Sequence, residues 1–290
     1  MSKTNSYSSR YVIVNGVRTH YVEAGDGEAV LLVHGAGPGA SGENGWRNNI
    51  PSLAQHFRVL AIDMLGFGLT DKPSIEYSLE ALKNHLAGFI RTLCLEPVHL
   101  VGNSVGAYVV TKCALDYPDL VKKVLMVSTA NVARAMGIQV PPTVALADGI
   151  QALMAALENP NKETMRKWMS KIVHNADHIT DALIESRVRL ASLPGVKEAG
   201  RSLMTYMQTK LRDDPNHQQL YDLKSRLPRM TIPLGLIWGQ KDTFAPIGYG
   251  HELKKMLPNM EFHVLENSGH QCQSDEIERF NELALNFLWK

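Results

Sequence analysis

The sequence predicts an α/β fold, with a mostly parallel, doubly wound sheet and a helical cap inserted into it. Short apolar runs typical of buried strands alternate with segments in which apolar residues recur every three or four positions, as on one face of a helix. This alternation stops near Thr129, the spacing is helical from residue 131 to 226, and the alternation then resumes. We therefore expect a core domain of residues 1–130 and 227–290 and a helical cap of residues 131–226.

Composition and charge exclude several classes of protein. The 290 residues are 44% hydrophobic and 20% charged, as in a globular protein with a large core, and the net charge of +1 gives no attraction to nucleic acid or an anionic membrane. Residues 1–10 are polar and no stretch is apolar enough to span a membrane, so we expect a cytoplasmic location. Cys94, Cys113 and Cys272 are scattered, which predicts neither a disulfide framework nor a zinc site. The expected partner is a small molecule, and a homo-oligomer is left open.

The first predicted elements are a hairpin and a buried strand. Asn15-Gly16 separates two β-type runs, residues 11–14 and 17–22, and supplies the positive φ angles of a tight turn. The continuous apolar run Ala29–Val33 is typical of a strand covered on both faces. A glycine-rich loop, residues 34–42, follows it.

The remaining elements are predicted from the same apolar runs of strands and three- to four-residue spacing of helices. Residues typical of helix ends, such as the N-cap Ser78, indicate where helices begin. Before the cap domain we predict a helix marked by Trp46, Ile50, Leu53 and Ala54, a strand at 57–62, a helix from Ser78 to Leu93, a strand at 98–101, a helix at 107–115 and a strand at 123–128. After it we predict a strand at 232–238, a helix at 249–257, a strand at 261–265 and a helix at 274–289. Pro141-Pro142 and Pro194-Gly195 divide the cap, whose methionines are expected to fill its core, with a pocket lining as the alternative.

The strand at 98–101 runs into Gly102-Asn103-Ser104-Val105-Gly106, a Gly-x-Ser-x-Gly sequence followed by a helix. In this context a serine hydroxyl is held out on a sharp bend as a nucleophile, and the glycines let strand and helix approach closely. Taken alone, the same sequence also fits an ordinary helix start that the hydroxyl caps.

Two further residues strengthen the nucleophile interpretation. A serine needs an imidazole to take its proton, and the imidazole needs a carboxylate to orient it. Asp242 and His270 each follow the end of a predicted strand, where functional groups of parallel sheets gather, and the order Ser104, Asp242, His270 is that of the α/β-hydrolases. Backbone N–H groups of Val105 and of Ala36, in the glycine-rich loop, are the expected oxyanion donors, with Gly37 close by.

The glycine-rich loop also admits a different function. Residues 35–40 match G-x-G-x-x-A after a strand, and Asp63 lies 23 residues beyond Ala40, which is the spacing of a dinucleotide site in an NAD-dependent oxidoreductase. Against this alternative, residues 41–45 are expected to start a helix poorly, whereas a pyrophosphate rests on a helix N-terminus. A non-catalytic binding module with the same sheet is a further alternative.

Three other histidines have non-catalytic interpretations. His174 and His178 are four residues apart, as metal ligands on a helix can be, but no H-E-x-x-H pattern surrounds them and surface positions are expected. His34 directly follows a strand, and we expect it to order the glycine-rich loop by hydrogen bonds. We expect no metal and no cofactor.

Over nearly its whole length the chain resembles the α/β-hydrolase superfamily, and within it the meta-cleavage product hydrolases, which hydrolyse a carbon–carbon bond in 2-hydroxy-6-oxo-hexa-2,4-dienoates from aromatic ring degradation. The resemblance is carried by residues 34–40, 46–48, 63–68 and 102–106. It implies that Arg187 of the cap grips the substrate carboxylate and that Asn48 and Asn103 contact the polar end of the substrate. The family usually has tryptophan after the catalytic histidine, where this chain has Gln271, so a more polar or differently shaped substrate is expected.

The resemblance therefore implies a cofactor-independent serine hydrolase. His270, oriented by Asp242, helps to ketonise the dienol, and Ser104 or a water that it activates attacks the C6 carbonyl. A carboxylesterase or lactonase with the same three residues is the main alternative, because ester cleavage needs no ketone as an electron sink.

Overall fold

The computed structural model describes residues 7–141 and 143–290. Residues 1–6 of the polar N-terminal stretch, and Pro142 of the predicted Pro141-Pro142 break, lie outside the described residues. The strands within that part are β1 (Ser8–Val14), β2 (Val17–Ala24), β3 (Ala29–Val33), β4 (Arg58–Ile62), β5 (Val98–Asn103), β6 (Val121–Val127), β7 (Leu234–Gly239) and β8 (Glu261–Leu265). They form one sheet in the order β1-β2-β4-β3-β5-β6-β7-β8.

The predicted hairpin forms one edge of this sheet. Val14 of β1 pairs with Val17 of β2, and Asn15 and Gly16 between them have φ angles of 50° and 81°. Both values lie in the left-handed region, as a two-residue hairpin turn requires. β2 also pairs antiparallel with β4, whereas the other neighbours all pair in parallel. The mostly parallel sheet is confirmed.

Helices cover both faces of the sheet, which confirms the doubly wound arrangement. Their bounds are α1 (Gly42–Trp46), α2 (Ile50–Leu53), α3 (Leu79–Thr92), α4 (Val105–Asp116), α5 (Ala130–Ala135), α6 (Val144–Glu158), α7 (Lys162–Ile172), α8 (Asp181–Ala191), α9 (Val196–Thr205), α10 (Leu211–Asp213), α11 (Pro215–Tyr221), α12 (Gly248–Met256), α13 (Cys272–Asp275) and α14 (Ile277–Trp289). Short 3₁₀ turns lie at Pro118–Leu120, Ala176–His178 and Leu227–Arg229, and a π-helical turn at Tyr206–Lys210. One core cluster joins the sheet to α3, α4 and α12, and a second joins it to α1, α2 and α14.

Two predicted helices are each divided. The helix expected at Trp46 to Ala54 is α1 followed by α2, because Pro51 lies in the first turn of α2, a position that suits proline at a helix start and not within a helix. The last helix begins at Cys272 and is interrupted at Glu276, whose φ of −114° and ψ of 69° are not helical. The expectation that residues 41–45 start a helix poorly is wrong, since the Ser41 hydroxyl accepts the Asn44 N–H at 3.0 Å and caps α1.

The helices from α5 to α11 lie between β6 and β7, where the sequence places the cap. Several of them share an apolar cluster separate from those of the sheet, built around Ala156, Met165, Trp168, Met169 and Ile184. The division of the chain at residues 131 and 226 stays a prediction. Across residues 7–141 and 143–290, no helix is both long and apolar enough to cross a membrane.

Burial of His85 predicts a loss of stability in acid. This α3 residue is 4% exposed, its Nε2 shares a hydrogen bond of 2.9 Å with the Thr19 hydroxyl, and burial lowers its pKa to about 4. Between about pH 6.5 and pH 4 the unfolded chain therefore binds a proton that the folded chain excludes, so stability falls as the pH falls through this window. The free energy of unfolding, measured in urea, should fall between pH 7.5 and pH 4.5 by roughly 2 kcal/mol more in the wild type than in His85→Gln.

The matched control is the exposed His251→Gln, which should keep the wild-type pH dependence. Equal losses in the wild type and in His85→Gln would contradict the assignment to His85.

Candidate active site

Ser104 occupies a strained turn between β5 and α4. Its φ of 56° and ψ of −117° are unusual for a residue with a side chain, and its hydroxyl makes no capping hydrogen bond to α4. A side chain at Gly102 would overlap the backbone of Gly106, and one at Gly106 would overlap the backbone of Val33 and His34. The ordinary helix-cap interpretation is therefore wrong, because the hydroxyl does not cap the helix that follows it.

Asp242 and His270 come together after the ends of β7 and β8. His270 Nδ1 lies 2.8 Å from Asp242 Oδ2, and the other carboxylate oxygen, Oδ1, accepts the backbone N–H groups of Phe244 at 2.9 Å and Ala245 at 2.7 Å. Because the carboxylate is an acceptor, Nδ1 carries the proton and Nε2 is left as the basic nitrogen. Nε2 is buried, has no hydrogen-bond partner among the described residues, and lines the same cavity as Ser104.

The glycine-rich loop packs against the serine turn. A Cβ at Gly35 would lie 3.1 Å from the Ser104 Cβ, and Ala36, next in the chain, lines the cavity beside Ser104. Val105 is the first residue of α4, so its N–H has no acceptor within the helix. His34 holds the loop: Nδ1 donates to Gly35 O at 2.8 Å, Nε2 accepts the Met64 N–H at 3.1 Å, and burial lowers its pKa. The predicted ordering role of His34 is confirmed.

Two adjoining cavities meet at Ser104 and His270. The larger, about 350 Å³, is mostly apolar and is lined on its cap side by Leu146, Ile150, Leu153, Met204, Met207, Gln208 and Leu211. The smaller, about 20 Å³, is lined by Gly37, Asn103, Trp168, Arg187 and Gln271. Met204 and Met207 thus line a pocket, whereas Met165 and Met169 lie in the cap core. A groove of about 750 Å³ between residues 72–77 and 191–199 contains none of the predicted site residues.

Arg187 of α8 is a buried cation without a carboxylate partner among the described residues. It is 2% exposed, its Nη1 donates to Pro38 O at 3.1 Å, and its Nε has no hydrogen-bond partner. Burial, and secondarily the positive charge of Arg47, lowers its pKa to about 10, so the guanidinium is still charged at neutral pH. A charged donor that faces a cavity and has no counter-ion can bind an anion there.

Asn103 and Gln271 tie the neighbouring segments together. The Asn103 amide Nδ2 donates to Val127 O at 3.3 Å and to His270 O at 3.2 Å, which links the serine turn to the histidine loop. The Gln271 N–H donates to Ile172 O at 2.9 Å, at the end of α7. Both side chains line the smaller cavity.

Asn48 lines neither cavity, and its contact with the polar end of the substrate stays a prediction. It is half-buried beyond α1, where the chain leaves the helix before α2 begins. Asn44, which also lies outside both cavities, is buried: its Nδ2 donates to Gly39 O at 3.2 Å and its Oδ1 accepts the Ser186 hydroxyl at 3.2 Å. It therefore joins the loop to the residue beside Arg187.

The contacts of Asp63 contradict the dinucleotide alternative. The carboxylate is 1% exposed, its Oδ1 accepts the Gly42 N–H at 2.7 Å, and its Oδ2 accepts the Leu69 N–H and the His20 Nδ1–H, both at 2.8 Å. Both carboxylate oxygens therefore accept hydrogen bonds from the protein itself, and the buried group is not open to a ribose. A side chain at Gly39 would overlap the backbone of Arg187, so this loop packs against the cap where a pyrophosphate would lie.

His174 and His178 do not share a helix turn. His174 is exposed beyond the end of α7, and His178 ends the 3₁₀ turn Ala176–His178. Within the described ranges, no group of three or more side chains is arranged to hold a metal ion.

Comparison with known proteins gives consistent matches over almost the whole chain. Residues 28–276 match the protein family described as alpha/beta hydrolase fold. The chain is 32% identical to the 2-hydroxy-6-oxononadienedioate/2-hydroxy-6-oxononatrienedioate hydrolase of Paraburkholderia phymatum, covering 99% of this chain and 98% of the relative. It is 30% identical to the 2-hydroxy-6-oxo-2,4-heptadienoate hydrolase of Pseudomonas putida, with 99% of each covered. Among solved structures it is similar to the meta-cleavage product hydrolase CumD from Pseudomonas fluorescens, with 28% identity, a TM-score of 0.79 and coverage of 96% and 97%.

Proposed function

Because this chain belongs to the alpha/beta hydrolase family, and within it to the meta-cleavage product hydrolases, we propose that it hydrolyses a carbon–carbon bond in a 2-hydroxy-6-oxo-hexa-2,4-dienoate formed by aromatic ring fission. The observation that carries the proposal is the buried Arg187, which has no carboxylate partner among the described residues and lies beside the cavity that holds Ser104 and His270. An ester hydrolase needs only the serine and histidine, whereas a dienoate also brings a carboxylate that requires a cation.

We assign the catalytic roles to Ser104, His270 and Asp242. His270 Nε2 is the free basic nitrogen, and the Asp242 carboxylate holds the ring and stabilises its charged form. His270 moves a proton from the C2 hydroxyl toward C5, which converts the dienol to a 2,6-diketone. It then takes the proton of Ser104, or of a water that Ser104 holds, as that oxygen attacks C6. The N–H groups of Ala36 and Val105 donate to the oxyanion at C6.

Cleavage then breaks the C5–C6 bond. The electron pair moves from C5 through the alkene into the C2 ketone, so the leaving group is a stabilised dienolate and not a bare carbanion. A proton from His270 completes a 2-hydroxypenta-2,4-dienoate, and C6 leaves as a carboxylic acid after hydrolysis. Arg187, beside the C1 carboxylate and the C2 oxygen, stabilises the dienolate charge. This sequence balances with water alone, and it uses no cofactor.

The segment of residues 131–226 is proposed to act as a cap that selects the substrate. It supplies Arg187 to the smaller cavity, which receives the C1 carboxylate, and apolar side chains such as Met204 and Leu153 to the larger cavity. Asn103 and Gln271 also line the smaller cavity, and Gly37 has no side chain to fill it. The larger cavity accommodates the substituent on C6, and a cytoplasmic location remains the sequence expectation.

A parallel assay on two substrates tests the proposal. We expect the wild type to consume 2-hydroxy-6-oxohepta-2,4-dienoate, followed as loss of its visible absorbance, with a kcat/KM of about 10⁴ M⁻¹s⁻¹ or more. Turnover of 4-nitrophenyl acetate should be weaker, because that ester offers no carboxylate to Arg187. Ester turnover without dienoate turnover would replace the proposal with the esterase or lactonase alternative.

A further inference from the structure

Trp168 of α7 is a cap residue beside the smaller cavity. The side chain is 2% exposed and lines this cavity together with Ser104, Arg187 and His270. Its Nε1–H is buried and has no hydrogen-bond partner among the described residues. A buried N–H without an acceptor costs free energy, and one that borders a cavity can recover this cost by donating to a bound ligand.

The surroundings of the indole fix where this N–H lies. A Cβ at Gly37 would lie 3.3 Å from Trp168 Nε1 and 3.4 Å from its Cζ2, so the nitrogen edge rests over the bare backbone of the glycine-rich loop. The ring packs edge-on against Phe244, with centroids 5.4 Å apart, and Phe244 packs against His270 at 5.1 Å. The indole is therefore held in place on the side of the cavity that adjoins the reacting groups.

Arg187 presents a second unpaired donor to the same cavity. Its Nε is buried and, like Trp168 Nε1, has no acceptor among the described residues. The two donors come from different helices, α7 and α8, and meet at a space of about 20 Å³. A carboxylate has two oxygens that each accept hydrogen bonds, so one anion can satisfy both donors.

We propose that Trp168 is a substrate-binding residue that determines specificity for the acidic end of the substrate. Its indole N–H donates a hydrogen bond to the C1 carboxylate while Arg187 binds the same group by charge. This inference rests on the proposed function and deepens it, because it assigns a second donor to the carboxylate. A space of about 20 Å³ holds roughly one water molecule, so the cap must shift slightly to admit the carboxylate.

Kinetics of Trp168→Phe test the inference, because phenylalanine keeps an aromatic ring and removes the N–H. On 2-hydroxy-6-oxohepta-2,4-dienoate we expect KM to rise about ten-fold or more while kcat changes by less than about three-fold. The matched control is Trp46→Phe, since Trp46 Nε1 is also buried and unpaired but lies in the sheet core, packed against Phe280 and away from both cavities. This control should keep the wild-type KM.

A spectroscopic measurement gives a readout that a packing role would not change. In ¹⁵N-labelled Ser104→Ala, addition of the same dienoate should move the assigned Trp168 indole N–H resonance downfield and leave that of Trp46 in place. Wild-type turnover with an unchanged KM in Trp168→Phe, or an indole resonance that does not respond to bound dienoate, would overturn this inference alone. Absence of wild-type dienoate turnover would overturn the proposed function and this inference with it.

Discussion

Ser104→Ala is expected to lower kcat on the dienoate by roughly 10⁴- to 10⁶-fold. The turn that carries Ser104 is strained, since its φ is 56°, and such strain persists where the surrounding structure holds a reacting group in place. Alanine keeps the turn and the packing and removes only the oxygen that attacks C6 or holds the attacking water. Stopped-flow absorbance with a large excess of enzyme resolves so small a rate.

A second serine provides a close control for this prediction. Ser128 follows β6 as Ser104 follows β5, has a positive φ of 43°, and is buried, but it lines neither cavity. We expect Ser128→Ala to keep kcat within about three-fold of the wild type. If Ser104→Ala retained a tenth of the wild-type kcat while folded by circular dichroism, the nucleophile assignment would fail.

The positions of Ser104, Asp242 and His270 could be predicted because they depend on strand ends. Continuous apolar runs identify parallel strands, and the carboxyl ends of those strands meet at one edge of the sheet whatever the lengths of the loops between them. The hairpin at Asn15-Gly16 could be predicted for a similar reason, since its turn is specified by the two residues within it.

Other features depend on contacts between distant segments and could not be predicted from local patterns. Asn44 joins the glycine-rich loop to the cap segment through its hydrogen bond with Ser186, 142 residues away, and no periodicity distinguishes it from Asn48. Trp168 lies in the apolar core of the cap segment, and the spacing of apolar residues reports such burial but not the direction of an indole N–H. The glycines at residues 42 and 45 favour a loop over a helix, and the short helix α1 nevertheless forms with Ser41 as its cap.

Arg187→Met is expected to lower kcat/KM on the dienoate by roughly 10²- to 10³-fold and at the same time to stabilise the protein. The loss of activity follows from removing the charge that binds the carboxylate and stabilises the dienolate. Turnover of 4-nitrophenyl acetate should fall much less, because that substrate has no carboxylate. The ratio of the two activities is therefore the decisive measurement.

The gain in stability follows from the cost of burying this guanidinium. Arg187 is 2% exposed and has no carboxylate partner among the described residues, and burial lowers its pKa well below its ordinary value, to about 10. A shift of this size means that burial destabilises the charged guanidinium. An apolar side chain of similar length should therefore raise the free energy of unfolding by roughly 1–3 kcal/mol. Urea unfolding at pH 7.5 measures the change.

Arg201→Met is the control, because Arg201 belongs to the same cap segment but is 53% exposed and paired with Glu158. It should change dienoate activity by less than about three-fold and leave stability unchanged or slightly lower. A less stable Arg187→Met variant with wild-type dienoate activity would contradict the argument on both counts. If the prediction holds, the protein keeps a destabilising charge in its interior because the substrate supplies the missing counter-ion.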